Sequence, residues 1–177
     1  LVELITPDDN TLIGEMRSFV ADFGRTAKGY TPVVTSAHGV ESAAKAVDFY
    51  TRVLGMHVAI DEELNSEESN RFLGLESGAR TRTVFVQGAH MFGKVALAEP
   101  LNYPCASLIE LAVAPNLGYL AQSFRVDDLD VARGACAELG AEIYSDIREL
   151  DLIGRGLCRA MLVRNPGSGA LQEIYQA

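Results

Sequence analysis

The sequence predicts an α+β protein made of two like modules. Residues 33–62 read as strand, helix, Leu-Gly and strand, and the same order returns about 85 residues later over 119–148. Further short apolar runs, 81–88, 94–99, 156–164 and 170–176, give each unit two more strands. Two such units in one short chain indicate an internal duplication, and a pseudo-twofold pair is their natural packing.

The first 30 residues stand outside the repeat. Leu1–Ile5 is an apolar run of strand length, and Thr6-Pro7-Asp8-Asp9 has the hydroxyl cap, first-turn proline and carboxylates of a helix start. Leu12, Ile13, Met16, Phe19, Val20 and Phe23 form an apolar stripe before Gly24. An extra N-terminal helix, packed over a sheet edge or on a second subunit, is expected. Alternatively Leu1–Ile5 is the last strand of a preceding module, and the chain, which opens on Leu1 rather than Met, is part of a longer protein.

The first module takes residues 31–100. Strand 33–40 leads into helix 42–54, where Ala43, Ala44, Val47, Tyr50, Val53 and Leu54 recur at helical spacing. Gly55 suits the left-handed cap position. In strand 56–62, Met56, Val58 and Ile60 alternate with His57, Ala59 and Asp61. Residues 61–80, acidic and serine-rich, are expected to form a solvated loop or partly ordered lid. Strands 81–88 and 94–99 are joined by a turn over 87–93.

Residues 101–118 link the modules, and their apolar centre Leu108–Val113 is expected to add a strand or pack over the barrel mouth. The second module, 119–177, follows the same plan: strand 119–126, helix 129–139, then strands 141–148, 156–164 and 170–176. Its helix starts in Asp127-Asp128-Leu129-Asp130, carries Val131, Ala132, Ala135, Cys136 and Leu139 on one face, and ends at Leu139-Gly140.

Asp48-Phe49-Tyr50-Thr51-Arg52-Val53-Leu54-Gly55-Met56 resembles the signature of the vicinal-oxygen-chelate superfamily, glyoxalase I in particular. Phe124–Asp130 resembles the opening of that superfamily's second module, and Asn165-Pro166-Gly167-Ser168-Gly169 leading to Glu173-Ile174 resembles its closing strand with one extra residue. The resemblance implies two βαβββ modules forming a curved, barrel-like mixed sheet around a ligand-sized cup. It does not fix the reaction, because the scaffold serves bleomycin-resistance proteins, extradiol dioxygenases and an epimerase alike.

Metal-bearing members place His, Gln or Glu ligands on the first and last strand of each module. Carried across, those positions are Thr35, Ala96, Ala121 and Glu173, of which only Glu173 has a strong oxygen ligand. If a full four-ligand zinc site is worth about 10–16 kcal/mol, one carboxylate supplies roughly 3–4 and holds a cation at about millimolar strength. The usual metal site is therefore expected to be missing. A one-residue strand slip would bring Gln122 or Glu99 toward Glu173 and rescue part of the site, while two independent slips would be needed to rebuild even three ligands for Zn, Ni, Fe or Mn. Glu173, on an inward strand, is the expected acid or base; Ser123 and Arg125 share a face with Ala121, and Arg125 is suited to hold an anionic substrate or to pair with Glu173.

The remaining motifs point nowhere specific. His38, His57 and His90 sit at element ends or turns, where structural roles are the default. Gly167-Ser168-Gly169 is read as a turn rather than a phosphate loop, since no helix follows it, and no Gly-x-Ser-x-Gly elbow occurs. A net charge of −9 argues against nucleic acid, which needs clustered Lys and Arg. No apolar run has membrane-spanning length, and no basic, apolar leader opens the sequence. Cys105, Cys136 and Cys158, odd in number and widely spaced, are expected to be buried thiols in a reducing cytoplasm.

The expected function is binding of a small organic molecule in the cup, by sequestration or by turnover at Glu173, without a divalent metal and as a homodimer. The alternatives are a metal-dependent lyase, isomerase or dioxygenase of the same superfamily, and a non-catalytic assembly domain.

Overall fold

The computed structural model describes residues 2–3, 35–89, 94–113, 115–116 and 120–177. The helix expected after Thr6, and His90, lie outside the described residues.

In chain order the elements are β1 (Val2–Glu3), β2 (Thr35–Gly39), α1 (Ala43–Arg52), β3 (His57–Leu64), α2 (Glu67–Leu73), β4 (Thr81–Gln87) and β5 (Lys94–Pro100). A short 3-10 turn (Ile109–Leu111) precedes β6 (Ala121–Arg125), α3 (Leu129–Glu138), β7 (Glu142–Leu152), β8 (Gly156–Arg164) and β9 (Leu171–Gln176). The strands form two mixed sheets, ordered β1-β2-β5-β4-β3 and β6-β9-β8-β7, and they do not close into a barrel. Without β1, each sheet has one βαβββ plan, with the first and last strands parallel and the other neighbours antiparallel.

The expected elements α1 and α3 form because both have an apolar stripe and a capped start. Ser42 Oγ accepts the Lys45 N–H at 3.3 Å, and Asp128 Oδ1 accepts those of Asp130 and Val131 at 2.9 and 3.0 Å. Both helices stop at a left-handed glycine, Gly55 and Gly140, each with φ of 65°.

Two expectations change. The stretch 61–80 is not simply a loop: β3 runs on to Leu64, held by Arg82–Asp61 and Arg80–Glu63 ion pairs at 2.8 and 2.7 Å, and α2 follows. Ser66 caps α2 by accepting the Ser69 N–H, and Gly74 ends it at φ 68°. The apolar linker adds no strand; Ile109 instead lies against Gly169 at the β8–β9 turn, while Leu108 and Leu111 stay exposed.

One core runs through both modules. Ala43, Ala46, Phe49 and Tyr50 of α1 and Leu129, Ala132 and Cys136 of α3 join Val84, Val86, Val95, Leu97, Met161, Val163 and Ile174 of the sheets in a single buried cluster. Across the module boundary, Tyr50 and Phe124 meet edge to face at 5.8 Å, and Gln172 Nε2 donates to the Tyr50 hydroxyl at 3.3 Å. The Gly167 carbonyl accepts the N–H groups of Glu41 and Ser42 at 3.0 and 3.2 Å, so the turn of the second module packs on the start of α1. Burial raises the Cys136 thiol to about 11. All three cysteines are free, and Cys105, against expectation, is exposed.

Candidate functional site

Strand alternation divides each sheet into a face under α1 or α3 and an opposite face, which among the described residues carries neither helix and is termed helix-free. Val84, Val86, Val95, Leu97, Met161, Val163 and Ile174 belong to the core on the helix side. Ala96 and Glu173, one residue out of step with Val95 and Ile174, therefore lie on the helix-free side. Both helices share one core, and Gln122 Nε2 donates to Ser36 Oγ at 3.0 Å between β6 and β2. The expected cup positions of the two sheets therefore all lie on faces turned away from α1 and α3.

Thr35, Ala96, Ala121 and Glu173 occupy matching places on those faces. Thr35 stands opposite Lys94, and Ala96 is one same-face step beyond Lys94 on β5. Ala121 stands opposite Leu171, and Glu173 is one same-face step beyond Leu171 on β9. The duplication thus relates the four positions pairwise. Thr35 and Ala96 are buried, whereas Ala121 is exposed. The Thr35 hydroxyl is spent on the Lys94 carbonyl at 3.0 Å, and Lys94 itself is buried, which pulls its ammonium below the usual lysine range.

Glu173 is half-buried, less enclosed than an inward strand suggests, and lies on β9 next to the edge strand β6. Ser123, its register partner on β6, donates its hydroxyl to Glu173 Oε2. Arg125 does not pair with Glu173; it is exposed and stands 3.6 Å from Asp127. Neither does Thr35, whose hydroxyl is turned to its own sheet.

The two residues that a strand slip would have recruited face the other way. Gln122 is committed to Ser36 on the helix side. Glu99 Oε2 accepts the Ala43 N–H at 3.0 Å and so serves the start of α1. His38, paired in register with core Leu97, is likewise on the helix side, and burial pushes its imidazole down to about 4. Glu173 is thus left as the sole strong metal-ligating side chain among the four matching positions. Among the described residues no three His, Cys, Asp or Glu side chains come together as a metal site. The donor set does not fit the divalent cation of metal-bearing vicinal-oxygen-chelate proteins.

Sequence reasoning missed a second feature of this face. Tyr175, buried next to Cys158 and Ala160 on the helix-free face, lies under the Arg155 guanidinium, 4.4 Å from ring centre to Cζ. Arg155 comes from the β7–β8 hairpin turn, where its N–H donates to the Leu152 carbonyl at 2.8 Å. No local motif links Arg155 to Tyr175; the strand register alone brings them together.

No protein-family model matches the chain, and no curated protein matches it in sequence. Solved structures do match its fold. A glyoxalase family protein from Bacillus cereus superposes with a TM-score of 0.69 at 20% identity, over 81% of this chain and 92% of the other. A member of the glyoxalase/bleomycin resistance protein/dioxygenase superfamily from Sphaerobacter thermophilus gives 0.53 at 21% identity, over 83% and 98%. A glyoxalase family protein from Enterococcus faecalis gives 0.52 at 15% identity, over 81% and 96%.

Proposed function

We propose that this chain, which has the fold of the glyoxalase/bleomycin-resistance/dioxygenase superfamily, binds a small organic molecule in the cup between its modules without a divalent cation. The observation that supports this reading is the make-up of the four matching positions. Thr35 is turned to a backbone carbonyl, Ala96 and Ala121 have no donor atoms, and Glu173 stands with a hydroxyl partner. Side chains of that kind suit a ligand recognised by shape and one hydrogen-bonding carboxylate, rather than two substrate oxygens held on a metal.

Glu173 has a defined part in this reading. Ser123 occupies Oε2, so Oε1 is left to accept from a ligand N–H or O–H. A carboxylate positioned in this way also suits proton transfer, so a binder and a metal-free enzyme share the same anchor.

The test is native mass spectrometry and metal analysis of protein purified without chelator, beside a Glu173→Gln variant. A co-purifying organic molecule, sub-stoichiometric metal, and loss of that molecule in Glu173→Gln are expected. Near-stoichiometric Zn, Ni, Fe or Mn, whose removal lowers Tm, would overturn the reading in favour of a metal-dependent enzyme.

A further inference from the structure

We infer that the second module's half of the cup is an oxyanion site, so that the ligand is an organic anion; the inference rests on the small-molecule reading above and names its ligand class. The evidence is a row of side chains crossing all four strands of that sheet. Arg148 on β7 pairs with Ala160 on β8, Ala160 with Tyr175 on β9, and Tyr175 with Arg125 on β6. Register partners share a face, and Ile147 next to Arg148 belongs to the helix-side core, so the row lies on the helix-free side. Arg155 lies over it, its Cζ 4.4 Å from the centre of the Tyr175 ring.

Three guanidinium groups therefore gather on one face of a chain with a net charge of −9. Most other described arginines are paired, exposed Arg71 on α2 being the exception. Arg52, Arg80, Arg82, Arg133, Arg159 and Arg164 each meet a carboxylate at 2.7–3.1 Å. Among the described residues, Arg148 and Arg155 meet no carboxylate within 4.0 Å, and Arg125 has only Asp127 at 3.6 Å. A guanidinium held over a tyrosine face by its cation–π contact spends none of its N–H groups on that contact, and those N–H groups form the fork that a carboxylate binds with two parallel hydrogen bonds.

The next same-face row is Leu162, Glu173 and Ser123. Same-face rows on a strand lie ~7 Å apart, two residues at about 3.4 Å each. A ligand spanning both rows has an oxyanion at one end for Arg155 and, ~7 Å away, an N–H or O–H group for Glu173.

Para-aminomethylbenzoate has this spacing and serves as the probe, with para-toluate lacking the amine and para-aminomethylbenzamide lacking the charge. Binding is followed by titration with NMR detection on the intact chain. The two carboxylates are expected to bind at least roughly tenfold tighter than the amide, and Arg155→Gln to abolish that preference. Arg155→Lys, which keeps the charge and loses the fork, is expected to restore only part of it. Glu173→Gln should weaken para-aminomethylbenzoate and leave para-toluate unchanged. Equal binding of amide and carboxylates, unaffected by Arg155→Gln, would overturn the anion site while leaving the cup reading intact. Failure of all three probes to perturb cup residues would overturn both.

Discussion

Glu99 and Gln176 do the same work in the two halves of the molecule. Glu99 Oε2 accepts the N–H of Ala43, the first residue of α1, at 3.0 Å, and Gln176 Oε1 accepts that of Leu129, the first residue of α3, at 3.2 Å. Each stands three residues beyond a cup position, Ala96 or Glu173, so the duplication is written into polar contacts as well as strand order. Both bonds satisfy a helix-start donor that has no partner within its own helix. Glu99→Ala and Gln176→Ala are each expected to lower stability by about 1 kcal/mol, read from the urea midpoint at unchanged slope. Zinc affinity of Glu99→Ala should equal that of the parent, and a marked loss would put Glu99 back in a metal site.

Gly167 joins the modules by close approach. A Cβ there would overlap the backbone nitrogen of Ala46 in α1, and rigid backbone cannot move aside as a flexible side chain can. Gly167→Ala is expected to cost more than about 3 kcal/mol, or to part the turn from α1. Gly134→Ala is the control, since nothing lies within 4 Å of a Cβ at that helix position. Equal melting temperatures for the two variants would remove Gly167 as the point of contact.

Much of this was legible in the sequence where a single local rule decides. The spacing of Val47, Tyr50 and Val53, the caps and the two Leu-Gly stops placed α1 and α3 within two residues of their observed ends. Strand parity alone separated Ala121 from Gln122 once the register was known. The helix α2 was missed because acidic, serine-rich residues look like a loop, although Ser66, Glu67, Glu68 and Gly74 supply a cap, first-turn carboxylates and a stop. The Arg155–Tyr175 stack was not legible, since twenty residues and a hairpin separate the partners and only tertiary register joins them.

His38 makes stability depend on pH. Burial pushes its folded-state value from 6.5 to about 4, so the folded protein keeps the imidazole neutral where the unfolded chain already binds a proton. Stability contributed this way is complete above about pH 6.5 and is lost as the pH falls toward 4, by at most about 3 kcal/mol. His38→Gln has no such titration. The difference between urea midpoints of parent and variant should therefore shrink, or reverse, from pH 7 to pH 5; a difference that stays constant with pH would show that His38 is protonated alike in both states.

Rebuilding the lost ligands tests whether the four cup positions converge. Ala96→Glu and Ala121→His together with native Glu173 supply three ligands from matching places in the two sheets. At roughly 3–4 kcal/mol per ligand, the double variant should bind zinc at micromolar strength or tighter, against about millimolar for the parent. Ala121 is exposed and Ala96 is buried outside the helix-side core cluster, so folding of the double variant is checked first from its urea midpoint. Calorimetric titration with zinc reads the gain directly, and reverting Glu173 to Gln in the double variant should cancel most of it. A double variant that folds and binds no tighter than the parent would mean that the two sheets hold these positions too far apart to share one ligand, and the cup would then be two separate surfaces.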